Sequence, residues 1–360
     1  MIIHFFLIIL RSILCNCIKL DWDLYINAIY IKLYSKQTQT SYYKIVDIES
    51  DYTRMTDFEY HFTEQVTKRG NSVNYNGKNC FVFIDNLTFP GITDFYVKDL
   101  NFIYHNGGIR NDLMYYDSVY SFSFKTKFKS QSLIEILYNS NIIKHKRFSF
   151  YKEDNVIKNG IFYIDEIPFI NQFTFQGIIP IYTDNIYWRA NLSNIIINDV
   201  VYANDYPMRF STGNRELSIP KDFDITLFIK EEMNCKMEFG TYYRCDSDKI
   251  AQFPNITFVF NNIKYTFDYK DFSEESVNHE GTSYVYIRNN RENKNEWIIG
   301  NFFILKYVST FDYDKNQIIL YSHNKFEIMT ESKNKVGYIN VVTIILSIIG
   351  IILNCSFIIY

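Results

Sequence analysis

The sequence predicts a mainly β globular body, on three observations. Aromatic residues make up 18 % of the chain, with 31 Tyr and 32 Phe, and such side chains suit the pleated, half-buried surface of a sheet. Gly and Pro are scarce, 13 and 6 among 360 residues, which excludes collagen-like and low-complexity classes, while the aromatic content excludes disorder. Short apolar runs recur between turn-forming Asn, Asp, Gly and Ser, among them YINAIYI, YYKIV, FVFI, IYWRANLSNIIIN, ITFVF, IKYTFDY, SYVYI and IILYS. The length suffices for two lobes with buried cores. With 37 basic residues against 40 acidic ones, the chain lacks the clustered cations of a nucleic-acid binder, and no nucleic-acid partner is expected.

In chain order, the first element is MIIHFFLIILRSILCNC, an apolar run interrupted by Arg11. It is short for a membrane span and reads as a secretory signal peptide over 1–20, with a buried N-terminal strand or helix as the alternative. Two helices are expected in the body. SLIEILYNSNII (132–143) places Leu133, Ile136, Leu137 and Ile143 on one face behind a Ser cap, and KDFDITLFIKEEM (221–233) follows Pro220. No 20–50-residue repeat suggests a solenoid or propeller.

At the other end, 336–360 carries no charge, long enough as a helix to cross about 30 Å of hydrocarbon. Lys333 and Lys335 precede it and nothing polar follows Tyr360. Two readings stand, a C-terminal transmembrane helix or a lipid-anchor signal, and both tether the body to a membrane. Asn86, Asn191 and Asn255 each head an Asn-x-Ser/Thr triplet, the acceptor pattern for glycosylation in a secretory-pathway protein. The body is therefore expected on the extracellular or lumenal side. Of the body's cysteines, Cys235 and Cys245 flank a turn-like EFGTYY stretch and can staple a hairpin, leaving Cys80 without an assigned partner. No Cys-x-x-Cys or Cys/His ligand spacing occurs, so neither metal nor cofactor is expected.

No Gly-rich phosphate loop, Gly-x-Ser-x-Gly elbow or His-Glu-x-x-His helix is present. Five segments in a fixed order instead resemble the pepsin-like aspartic peptidases. WIIGNFFILKYVSTFDYDKNQIILYS (297–322) is similar to the family's Trp-hydrophobic-hydrophobic-Gly-Asp/Asn turn, its Phe-Leu-x-x-Tyr strand and its closing Phe-Asp hairpin. YRCDSDKIAQFPNITFVFNNIKYTF (243–267) resembles its Cys-then-Pro strand pair, and IYWRANLSNIIIND (186–199) its Tyr-Trp-x-x-x-Leu strand. SLIEILYNSNIIKHKRFSFY (132–151) resembles the helix and Phe-Ser-x-Tyr strand of its first lobe, and MRFSTGNRELSIP (208–220) the second catalytic turn. The resemblance implies an all-β bilobal fold of double-ψ β-barrels, one lobe at 21–170 and the other at 171–330, with a cleft between them.

In that family two Asp carboxylates, one per lobe, share a proton because like charges so close cannot both ionise. The pair activates a water and protonates the leaving amine. Each Asp heads an Asp-Thr/Ser-Gly turn. KIVDIESDYTR (44–54) is placed on the first turn, so Asp47 keeps the carboxylate while Ile48 and Glu49 replace Thr and Gly. On the second turn Thr212 and Gly213 hold the register, and Ser211 stands where the second Asp belongs. Asp205 is six residues upstream and cannot substitute without breaking that register. Tyr75 is the candidate flap tyrosine, at a shorter distance from Asp47 than the family keeps; with Thr212 and Gly213 it completes the implied peptide-binding set. The first body strand also follows the leader too closely for an inhibitory pro-segment.

The expected function is that of a membrane-tethered pepsin-family homologue with an impaired dyad, which at most binds an extended peptide or protein segment in its cleft. Two alternatives stay open: an active aspartic endopeptidase with a diverged site, Glu49 serving as second carboxylate, and a surface adhesion or structural module on the same scaffold. Neither the specificity nor the oligomeric state is legible.

Overall fold

Six antiparallel strands form the spine of the molecule, in the order Thr174–Pro180, Gln317–Ser322, Val308–Asp312, Arg147–Lys152, Asn159–Ile164 and Ile18–Tyr25. The computed structural model describes residues 18–25, 28–35, 40–48, 54–56, 68–75, 78–88, 96–105, 119–123, 132–152, 159–166, 170, 173–182, 187–203, 206–213, 215–224, 228–229, 233–238, 242–276, 279–290 and 295–322. The uncharged stretch 336–360 and most of the leader lie outside them. No helix among the described residues is long and apolar enough to cross a membrane. Strand Ile18–Tyr25 begins inside the segment assigned to the leader, so a cleavage that leaves this strand whole falls before Ile18.

The spine has an internal two-fold. Arg147–Lys152 and Val308–Asp312 pair at its centre, and each is preceded by a short helix, Leu133–Asn139 and Asn301–Lys306. Across the central pair Phe148 and Phe311 stack with ring centroids 4.9 Å apart and planes 5° from parallel. Beside them the hydroxyls of Ser149 and Thr310 share a buried hydrogen bond of 2.9 Å. Val308–Asp312, which the sequence assigns to the second lobe, thus pairs with Arg147–Lys152 of the first.

Local chemistry explains the elements. The first helix starts on a capping box: Ser132 accepts from the Glu135 backbone N–H, and Glu135 accepts from that of Ser132. Leu133, Ile134, Ile136 and Leu137 are buried, and the helix ends before Asn141, which turns left-handed at φ 56°. Ile143, expected on the helix, is buried beyond its end. Asn-rich turns close the hairpins: Asn198-Asp199 (φ 48° and 63°) joins Asn194–Ile197 to Val200–Ala203, and Asn261-Asn262 (φ 47° and 65°) joins Ile256–Phe260 to Ile263–Phe267. Two successive positive φ values give the turn whose twist matches paired strands, and Asn tolerates them.

The FFILKY stretch is not a strand but the helix Asn301–Lys306, which begins at Gly300 and buries Phe302, Phe303 and Ile304. A continuous apolar run does not by itself distinguish a strand from a buried helix. The second expected helix, 221–233, lies partly outside the described residues, and 221–223 form a turn and bend.

Aromatic side chains dominate the described core. Trp188 and Trp297 are fully buried. Trp188 packs edge-on against Phe311 and Tyr313 and donates its indole N–H to the Phe122 carbonyl at 3.0 Å. Trp297 meets Phe223, Phe228 and Phe258 edge-on. Rings of this size bury roughly 150–250 Å² each, so among the described residues these aromatics make up much of the core.

Candidate functional site

Both halves build the same crossing. In the first, Thr40–Asp47 runs parallel to Val119–Ser121, which is antiparallel to Arg54–Thr56, which is in turn parallel to Tyr96–His105. In the second, Pro207–Phe210 runs parallel to Trp297–Ile299, which is antiparallel to Leu217–Ile219, itself parallel to Ile287–Asn289. A strand that leaves a parallel neighbour and returns on that neighbour's far side must do so through a loop at its C-terminal end. Those loops begin at Asp47 and at Ser211.

The loops meet. The Ile48 backbone N–H donates to Thr212 Oγ1 at 3.2 Å, a buried bond between residues 164 apart in sequence. Ile48, Ser211 and Thr212 are fully buried. The Ser211 N–H extends the parallel ladder by donating to the Ile299 carbonyl at 3.0 Å. Asp47 and Ser211 are therefore the residues immediately before the two joined positions. Ile48 fills its place with a side chain that carries no hydroxyl, so it cannot offer Thr212 the acceptor that Thr212 offers it.

The other sequence-derived residues sit as follows. Gly213 is half-buried, and a Cβ there would meet no described atom within 4 Å, so crowding does not demand a glycine. Tyr75 ends strand Lys68–Tyr75 opposite Lys78, at the tip of a hairpin with Lys78–Thr88. Glu49, the alternative carboxylate, lies outside the described residues. Cys235 and Cys245 are disulfide-bonded, closing the hairpin of Lys236–Glu238 and Tyr242–Asp246. Asn191 and Asn255 are exposed, and Asn191 Oδ1 accepts from the Tyr182 hydroxyl. Asn86 lies within strand Lys78–Thr88 at a bulge.

Two charged clusters beside the second loop had no sequence signal. Arg215 pairs with Glu274, and its guanidinium lies 4.2 Å from the centre of the Tyr286 ring. The Tyr286 hydroxyl donates to Glu274 Oε2 at 3.2 Å. Burial above all pushes Tyr286 up to about 12; Glu274 reinforces the shift and Arg215 opposes it. The neighbouring Glu216 lies 3.7 Å from Arg288, whose Nε donates to Ser218 Oγ at 3.3 Å. Successive residues are thus tied to different strands, which fixes the loop leaving Ser211.

The second cluster lies on strand Pro207–Phe210. Arg209 is two residues before Ser211, on the face of an alternating strand that Ser211 would share. It is 2 % exposed. Glu296 Oε1 accepts from Arg189 Nε at 2.5 Å, its Oε2 lies 3.9 Å from Arg209 Nε, and both guanidinium groups cover the Tyr187 ring, at 5.0 and 4.6 Å. Arg209, between Met208 and Phe210, is covered by Glu296 and Tyr187, both distant in sequence.

Comparison with known proteins agrees with this architecture. Residues 113–322 match the family model described as eukaryotic aspartyl protease. Aspartic protease 3 of Caenorhabditis elegans is 25 % identical over 200 residues, 52 % of this chain and 49 % of that protein. A pregnancy-associated glycoprotein of Equus caballus is 24 % identical over 196 residues, 51 % of this chain and 47 % of that protein. The chain thus spans about half the length of each of these relatives.

Proposed function

The chain belongs to the eukaryotic aspartyl protease family, and from that premise we propose that it is a catalytically impaired member, which binds an extended peptide between its lobes without cutting it. One observation carries the reading. The Ile48–Thr212 hydrogen bond holds the loop after Asp47 against the loop after Ser211, and in the register that Thr212 and Gly213 set, a serine stands where the second Asp belongs.

The chemistry follows from what a hydroxyl lacks. An acid–base dyad needs two carboxylates close enough that only one ionises, one oxygen accepting a proton from water while the other gives one to the leaving amine. Ser211 can donate or accept a hydrogen bond, but it holds no negative charge at working pH and returns no proton. Loss of one acid–base group costs about 10²–10⁴ in rate, and a dyad that works only as a pair falls at the upper end. The scaffold that would hold a peptide backbone, two lobes with a joint between them, does not depend on the missing carboxylate.

The uncharged 336–360 stretch and the three glycosylation triplets support a secretory, membrane-tethered location with the body outside the cytosol. The test of the binding reading is recovery of peptides from a mixed pool by the folded full chain, followed by mass spectrometry. Recovered peptides of unchanged length support it; fragments absent from the starting pool count against it.

A further inference from the structure

A cavity of about 630 Å³ opens among the 3₁₀ turn Tyr269–Asp271, the strand Ser273–Glu275 and the helix Asn301–Lys306. That volume lies within the range of small-ligand sites. Ile250, Phe302 and Leu305 supply its apolar wall.

Its charges are unevenly matched. Four cations line it, Lys152, Arg215, Lys270 and Lys306, against three acids, Asp271, Glu274 and Glu275. Arg215 is paired with Glu274, and Lys306 Nζ with Asp271 Oδ2 at 2.6 Å. Lys152 and Lys270 form no ion pair with a described residue; Lys270 Nζ rests 5.7 Å from the centre of the Tyr269 ring. Glu275 is exposed to solvent. Burial raises the Asp271 carboxyl above its ordinary value even with Lys306 beside it, while Lys270 is exposed and Lys152 is half-buried.

We propose that this cavity binds a peptide carboxylate that adjoins an apolar side chain, the carboxylate lying with Lys152 and Lys270 and the apolar group on Ile250, Phe302 and Leu305. The lining holds one more positive than negative charge, which a single carboxylate balances. A phosphate dianion would exceed that balance and approach three acids. The carboxylate can come from an acidic side chain or from a chain terminus. The inference does not depend on the inter-lobe cleft binding anything.

The experiment is calorimetric titration of the full chain with four peptides. One pair is acetyl-Ala-Phe-Leu-Glu-Ala-amide and its Gln counterpart, and the other is acetyl-Ala-Phe-Leu as free acid and as amide. At least one acid should bind about tenfold tighter than its neutral partner, and the acid that does so identifies the source. That preference should disappear in Lys152→Gln/Lys270→Gln, and Ser273→Trp, which fills the cavity, should abolish binding with Tm retained. Equal binding of acid and neutral peptides, a preference that survives the double lysine variant, or no binding of either acid by folded protein would overturn the proposal.

Discussion

The Ile48 backbone N–H and the Thr212 hydroxyl, 3.2 Å apart, tie the first crossing loop to the second. Both residues are fully buried, so removing the acceptor leaves an amide that no water can reach. Thr212→Val should cost about 1–3 kcal/mol of stability, and Thr212→Ser, which keeps the oxygen, clearly less. Urea unfolding of the two variants beside the parent checks the difference; equal losses would mean that shape rather than the hydrogen bond matters at this position.

The spine carries a second joint. Ser149 and Thr310 share a buried hydroxyl–hydroxyl bond of 2.9 Å at the centre of the two-fold. Ser149→Ala leaves the Thr310 hydroxyl without that partner and should cost about 1–2 kcal/mol, as should Thr310→Val. The double variant should lose less than the two losses combined, since with both hydroxyls gone no polar group of the pair remains buried. A double-mutant cycle by chemical denaturation measures the coupling, and strict additivity would deny it.

The Cys235–Cys245 disulfide closes a hairpin with a sequence separation of 10. A loop of that size restricts the unfolded chain by about 2–3 kcal/mol in the loop-entropy treatment. Cys235→Ala/Cys245→Ala should therefore lower stability by roughly that amount, while leaving the spine folded. Hydrogen exchange should show faster opening of Tyr242–Asp246 without change in Arg147–Lys152.

Alkaline stability follows from the buried tyrosines. Burial first of all pushes Tyr265 and Tyr286 up to about 12, and Tyr307 and Tyr313 are raised as well. Unfolded tyrosines ionise near pH ~10. Below that pH both states keep these protons and the contribution is complete. As pH rises toward about 12 the unfolded chain releases protons that the folded chain retains, so stability falls across this window. Tyr265→Phe should flatten the fall. It should not destabilise at neutral pH, because the Tyr265 hydroxyl is buried with no hydrogen-bond partner among the described residues. Thermal unfolding followed from neutral pH to pH ~11 tests both statements.

The sequence made some of this visible and hid the rest for physical reasons. The Ser132 cap and the Asn turns act within a few residues, so their chemistry can be read locally, and so can a cysteine pair that flanks a turn. Thr212 and Gly213 marked the second loop. Nothing local to Thr212 pointed to Ile48 as its partner, because only the crossing of both halves brings the loops together. Asn301–Lys306 hid as a strand inside a continuous apolar run. Arg209 had no sequence signal because its cover, Tyr187 and Glu296, comes from residues distant in sequence. Burial of a charge is a tertiary fact, and strand alternation alone does not reveal it.

On the proposed reading, Ser211 in place of a second carboxylate leaves Asp47 unable to drive peptide hydrolysis. The most direct measurement is cleavage of an unbiased peptide pool by the purified full chain over roughly pH 3–7, with Asp47→Asn alongside. The account predicts no fragments from either protein while both remain folded. Cleavage by the parent that disappears in Asp47→Asn would contradict it, and would mean that Asp47 has a second acid elsewhere.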